Sequence, residues 1–291
     1  MIHNPLARAC LLGLALAVAA PLAQADKPAD AATLPAPDAA LQAAIDGSWR
    51  DPANTARDAY RHPGQTLAFF GIEPDMTVVE ITPGGGWYAE ILAPYLRENG
   101  KYVAAVVDPA SLPEGRGRDY QQRAREGLEK KFAGAPAQYD RAAFAAYDPK
   151  APVFGAPGSA DMVVTFRNVH NWRGSGQAEG MFKGFHDVLK PGGVLGVVEH
   201  RAKGDVPVED KSGYVGQDQV IALAKAAGFE LAGSSEVNAN PRDTKDYPNG
   251  VWTLPPSNNH PEAERAKYQA IGESDRMTLR FVKKAAGPGT E

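Results

Sequence analysis

The chain has 291 residues, 43% of them hydrophobic, with 31 Lys and Arg against 35 Asp and Glu for a formal charge of −4. That acidic balance excludes the basic surface that nucleic-acid binding calls for. The length is more than most single domains use, but it suits an α/β sheet protein with insertions.

Residues 1–25 read as a cleavable secretory signal, or else as an uncleaved membrane anchor. Arg8 precedes an apolar run from Cys10 to Ala20, and the triplet Ala23, Gln24, Ala25 offers a signal-peptidase site. The expected location is therefore periplasmic or secreted. Cleavage leaves residues 26–291 with a formal charge of −5 and removes the only cysteine, so neither disulfides nor thiolate metal sites are expected in the mature chain. No later stretch approaches the roughly 20 apolar residues of a spanning helix, so no transmembrane segment is expected after signal cleavage. Residues 26–40, rich in Ala, Pro and Asp, read as a disordered spacer.

A single domain is expected over 41–286. Its first part, 41–75, reads as a helical N-terminal cap: an amphipathic pattern from Leu41 to Phe70 is interrupted at Pro52 and Pro63, and Gly71 and Pro74 precede the first strand. From Met76 short β-branched runs alternate with helical stretches, the pattern of a parallel sheet covered on both faces. Strands are expected at Thr77–Ile81, Lys101–Val107, within Gln138–Tyr147, and at Asp161–Phe166, Val194–Glu199, Phe229–Val237 and Thr278–Lys283. Helices are expected at Tyr88–Glu98, Asp119–Phe132, Ala178–Leu189 and Gln217–Ala227. The long segment 238–277, with Tyr247 and Trp252 among prolines, reads as a lid-like insertion or else a surface excursion. Residues 287–291 read as a frayed tail.

Gly84, Gly85 and Gly86 stand between the first strand and the next helix, where they permit a tight turn, close approach of a ligand and use of unpaired helix N–H groups. A tight turn needs glycine even without a ligand. Asp108 closes the second strand, where an acid can accept from both ribose hydroxyls or simply start a turn before Pro109.

With these features the chain resembles the class I S-adenosylmethionine-dependent methyltransferases over about residues 51–283. Glu80 to Gly86 resembles their first motif, Asp108 their ribose-binding acid, and DVLKPGGVLGVVEH (187–200) their helix-to-strand-five segment. More narrowly, RDAYRHPG, the WY after the glycine turn, RNVHNW and DTKDYPNGVWTLPP resemble a family of exported predicted methyltransferases whose substrate is not established. The resemblance implies a Rossmann-like doubly wound sheet of about seven strands, mostly parallel with an antiparallel last strand and helices on both faces. It implies S-adenosylmethionine as cofactor, held by Glu80, Gly84, Gly85, Gly86 and Asp108, with Asp148 meeting the adenine amino group or serving as a turn residue before Pro149. Thr82 departs from the pattern, standing where the motif has its first glycine. Gly84, Gly86 and Ala89 also satisfy a dinucleotide pattern, but no tyrosine is followed four positions later by lysine, as a short-chain dehydrogenase requires.

The ligand crevice of such a sheet lies outside the carboxyl ends of its strands. Strand four runs out into Arg167, Asn168, Val169, His170, Asn171 and Trp172, and strand five into Glu199, His200 and Arg201. His170 is the candidate base, with Asn168 or Asn171 orienting the acceptor, Trp172 as an apolar wall and His200 facing the same cleft. His62, with Tyr60 and Arg61, is expected to close the cleft from the cap, with Trp87 and Trp252 as further substrate contacts; His62 before Pro63 also suits a helix-ending turn. No HxH or HExxH spacing is present, so no metal is expected. His186 and His260 receive no role. The function expected is methyl transfer to a small-molecule or cell-envelope acceptor, with a non-catalytic binding protein as second reading and an oxidoreductase as third.

Overall fold

The computed structural model describes residues 35–285 together with Met1; the expected signal, most of the spacer and the tail lie outside the described residues. The cap consists of four short helices, α1 (Ala39–Ile45), α2 (Pro52–Thr55), α3 (Asp58–Arg61) and α4 (Pro63–Phe70). Asp38 starts α1 by accepting the Leu41 N–H at 2.7 Å, and proline occupies the first turn of α2 and α4, where its missing N–H costs nothing.

The sheet comprises β1 (Thr77–Ile81), β2 (Lys101–Val107), β3 (Ala143–Tyr147), β4 (Ala160–Phe166), β5 (Leu189–His200), β6 (Phe229–Ser235) and β7 (Arg276–Lys283). Between them run α5 (Ala89–Leu96), α6 (Arg116–Gly134), α7 (Pro136–Tyr139), α8 (Val169–Gly174), α9 (Ala178–Val188), α10 (Gln217–Ala226) and α11 (Arg265–Ile271). Spatial order is β3-β2-β1-β4-β5-β7-β6, with β7 antiparallel to both neighbours and the other pairs parallel. None of the described helices is long and apolar enough to cross a membrane.

Side chains alternate across a strand, and the sheet divides its apolar residues accordingly. Val78, Tyr102, Ala104, Val106, Met162 and Val164 pack on one face with the cap, α5 and α6; Val79, Ile81, Val103, Ala105, Val163 and Leu195 pack on the other with α9 and α10. At Gly196 a Cβ would lie 2.6 Å from the Phe70 ring, so glycine lets α4 sit directly on β5.

Two sequence expectations change. β5 begins at Leu189 instead of Val194, because Leu189 already pairs with Ala160; Lys190–Gly193 then bulges out, with Gly192 at φ +80°, before the pairing resumes at Val194 and Met162. RNVHNW, expected only as the run-out of the fourth strand, turns into α8. Strand order reverses between β1 and β4, and the crevice opens at this switch point.

Candidate functional site

A cavity of about 420 Å³ lies at the carboxyl ends of β1, β4 and β5, within the size range of small-ligand sites. Its floor is the turn after β1. Thr82 there has φ +52°, a left-handed conformation rare for a β-branched residue. It is held by its N–H to Ala105 O (2.8 Å) and its hydroxyl against Tyr147 OH (2.8 Å). The residue at the usual glycine position thus adopts a backbone shape that glycine provides more cheaply. A Cβ placed on Gly84 or Gly85 would meet nothing within 4 Å, so both face open space. Gly86 does not line the cavity; at φ +80° its Cβ would strike Leu128, and it serves the packing of the turn on α6.

Glu80, at the base of the cavity, accepts from Tyr102 OH at 2.8 Å, and burial pushes its carboxyl up to about 7. Asp108 and Asp148 are not on the wall. Each has one carboxylate oxygen taken by a backbone N–H two residues on, Ala110 at 3.0 Å and Lys150 at 2.9 Å, in tight turns that explain both acids without a ligand. Between the glycine turn, Val106, Val107 and Tyr120 of α6 only about 20 Å³ is open. Tyr120 is 59% exposed and forms one side of that cleft.

The ends of β4 and β5 bring His170, Glu199 and His200 together. Glu199 is fully buried; it accepts the backbone N–H groups of His200 (2.7 Å) and His170 (3.2 Å) and meets His170 Nδ1 at 3.1 Å. A carboxylate on Nδ1 fixes the imidazole and leaves Nε2 as its second functional nitrogen. The two imidazole centroids are 5.4 Å apart, and His200 Nδ1 is 2.5 Å from Ser274 Oγ. Burial, then His170 and the arginines Arg167, Arg276 and Arg61, hold His200 well below the ordinary histidine range, so its ring is neutral near pH 7.

The ligating atoms of His170, Glu199 and His200 lie within 4.8 Å of one another, a separation one metal ion can bridge. The expectation of no metal rested on spacing along the chain, whereas this set is assembled from two adjacent strand ends. The same arginines that depress His200 oppose a divalent cation there.

The other expected contacts divide. Asn168 and Asn171 both line the cavity, but Asn168 is engaged in structure: its Nδ2 donates to Ile81 O (3.0 Å) and Thr165 Oγ1 (3.2 Å), tying β4 to β1. Trp87 and Trp252 also line it, Trp252 standing edge-on to His170 at 6.0 Å. Trp252 comes from the segment between β6 and β7, which is folded and anchored: Val251 N–H donates to Ser212 O, and Asp243 accepts from Tyr214 OH and from the Asp275 N–H.

Trp172 is a correction. It lies on the inner side of α8, buried against Phe185, and forms core instead of a cavity wall. Tyr60 and His62 are corrected likewise. His62 has φ +42° and ends α3, and both residues line a separate depression with Asn238 and Asn240. The opposite side of α3 faces the cavity, with Arg57 and Arg61 one turn apart.

Arg61, expected with Tyr60 and His62 at the cleft, and Arg167, expected at the end of the fourth strand, are both on this wall, whereas Arg57, Glu273 and Ser274 were not anticipated from the sequence. Glu273 receives Arg57 Nε at 2.6 Å, Arg61 Nε at 3.3 Å and Arg276 Nη1 at 3.2 Å. Burial alone would raise its carboxyl, but the three guanidiniums overcome this and hold it at about 2.

The class defined by this architecture is the Rossmann-like methyltransferase fold. Among solved structures, the chain is similar to a SAM-dependent methyltransferase from Aquifex aeolicus, at 16% identity and a TM-score of 0.52, covering 82% of this chain and 96% of that one. It is similar to the same degree, 16% and 0.52, to the (4+2)-cyclase SpnF, covering 83% of this chain and 85% of that one. No family model matches the chain, and no curated protein does. At this identity the likeness establishes the fold, and a fold that also serves a cyclase does not by itself fix the reaction.

Proposed function

We propose that the protein is a S-adenosylmethionine-dependent methyltransferase, acting in the periplasm or outside the cell on a small-molecule or cell-envelope acceptor. The observation that carries this reading is the open space over Gly84 and Gly85, in one cavity with His170 and His200 at the switch point of a methyltransferase-fold sheet. The location rests on the N-terminal sequence alone.

The residues present fit an adenosyl ligand. Gly84 and Gly85 allow it to lie against the backbone of the turn that leads into α5. Asp108 stands at the end of β2 with its Oδ2 free of hydrogen bonds among the described residues. When bound, the cofactor supplies a methyl group on a good leaving group, so the protein's task is alignment. His170, held on Nδ1 by Glu199, takes the acceptor's proton on Nε2; Trp87 and Trp252 exclude water on either side.

A second reading, a non-catalytic binding protein, is favoured by the narrow cleft at Tyr120. Calorimetry with S-adenosylmethionine, S-adenosylhomocysteine and NAD separates the readings. The proposal expects binding of the first two and not of NAD; binding of NAD alone, or of none, removes it.

A further inference from the structure

The cavity wall carries a charge imbalance that methyl transfer from a sulfonium does not require. Arg57, Arg61 and Arg167 line it, Arg276 stands behind, and Glu273 is the one carboxylate paired with any of them. Arg167 follows β4 with φ +62°, pinned by its N–H to Val198 O at 2.7 Å. Its guanidinium has no hydrogen bond and no ion pair among the described residues, although the side chain is half-buried. Burial and the neighbouring arginines lower it to about 10, still cationic at neutral pH. Arg57 spends Nε on Glu273, while its Nη2 is buried without a partner among the described residues. Arg61 lies over the Trp87 ring at 4.7 Å, which fixes its direction.

Uncompensated buried cations are costly to a fold, and a left-handed arginine adds backbone strain at the same place. Both costs are recovered when an anion enters. Guanidinium forks match planar carboxylate and tetrahedral phosphate oxygens. We propose that the cavity is an anion receptor in which Arg167, Arg61 and the free Nη2 of Arg57 hold a carboxylate or phosphate carried by the acceptor, presenting that acceptor to His170. Assigning the anion to the acceptor rests on the methyltransferase reading; the anion site itself does not.

The test is calorimetry of the purified full-length protein with inorganic phosphate and with acetate, each alone and with saturating S-adenosylhomocysteine. One of the two anions binds at one site per chain, which tells phosphate from carboxylate. Arg167→Gln weakens it about ten-fold or more, Arg167→Lys weakens it less, and Arg123→Gln, on the exposed side of α6, has no effect. S-adenosylhomocysteine leaves the anion affinity unchanged. Because Arg167 has no protein partner, its replacement leaves none unpaired, and a melting curve confirms that the variants fold. The proposal is overturned if neither anion binds, if Arg167→Gln binds like wild type, or if S-adenosylhomocysteine competes, since the arginines would then serve the cofactor's own carboxylate. If the anion binds and S-adenosylhomocysteine does not, the methyl-transfer reading falls while the receptor stands.

Discussion

Glu273→Gln is expected to cost the fold about 3–5 kcal/mol, the usual consequence of removing one partner from a buried ion pair. Glu273 joins the chain just before β7 to the cap through Arg57 and Arg61, and it also neutralises Arg276. Glutamine keeps the shape but leaves these guanidiniums facing Arg167 with no countercharge. The pH dependence has a definite sign. The folded carboxyl is held at about 2 against about 4.5 in the unfolded chain, so its contribution is present above pH 4.5 and is lost as pH falls from there toward 2. The difference corresponds to about 3 kcal/mol. Urea unfolding at pH 7 and pH 3 measures it: wild type loses stability across this window, and Glu273→Gln, already weakened, loses less. Equal midpoints for the two proteins at pH 7 would remove Glu273 as the keystone of the cluster.

His170→Ala is expected to lower turnover on an identified acceptor by about a hundred- to ten-thousand-fold, the range of general-base contributions, with S-adenosylhomocysteine affinity unchanged. Glu199→Gln, which keeps an oxygen near Nδ1 but removes the charge, is expected to give a smaller loss and to shift the pH profile, because Glu199 acts through His170. Production of S-adenosylhomocysteine over time checks both variants. Full turnover by His170→Ala would leave the imidazole as a structural hydrogen-bonder to Glu199.

The sheet was legible because short, near-continuous apolar runs such as Thr77–Ile81 and Lys101–Val107 alternate with helical stretches, as buried parallel strands do, and Gly84 to Gly86 mark the first turn. His170 and His200 were legible as strand-end residues. What the sequence hid was direction. Arg57 and Arg61 stand four apart in a stretch read as helical and so share a face, but nothing local says that this face meets the cavity while Tyr60 and His62 face Asn238. Trp172 was misplaced for the same reason, since the turn of α8 carries it inward. Glu199 was noted at the end of its strand, but its role depends on a contact 29 residues away, and Glu273 meets Arg57 across 216 positions. Pairings of that range leave no local signal. Asp108 and Asp148 show the converse: residues at expected positions whose observed contacts are turns.

The glycine turn floors the crevice, and Gly85 permits a direct test of whether the adenosyl group lies there. Its backbone is not left-handed and nothing lies within 4 Å of an added Cβ, so Gly85→Leu fills the crevice without disturbing the fold. With wild-type melting behaviour retained, S-adenosylhomocysteine binding measured by calorimetry is predicted to fall at least about ten-fold. Binding by Gly85→Leu as tight as wild type would mean that the adenosyl group lies elsewhere.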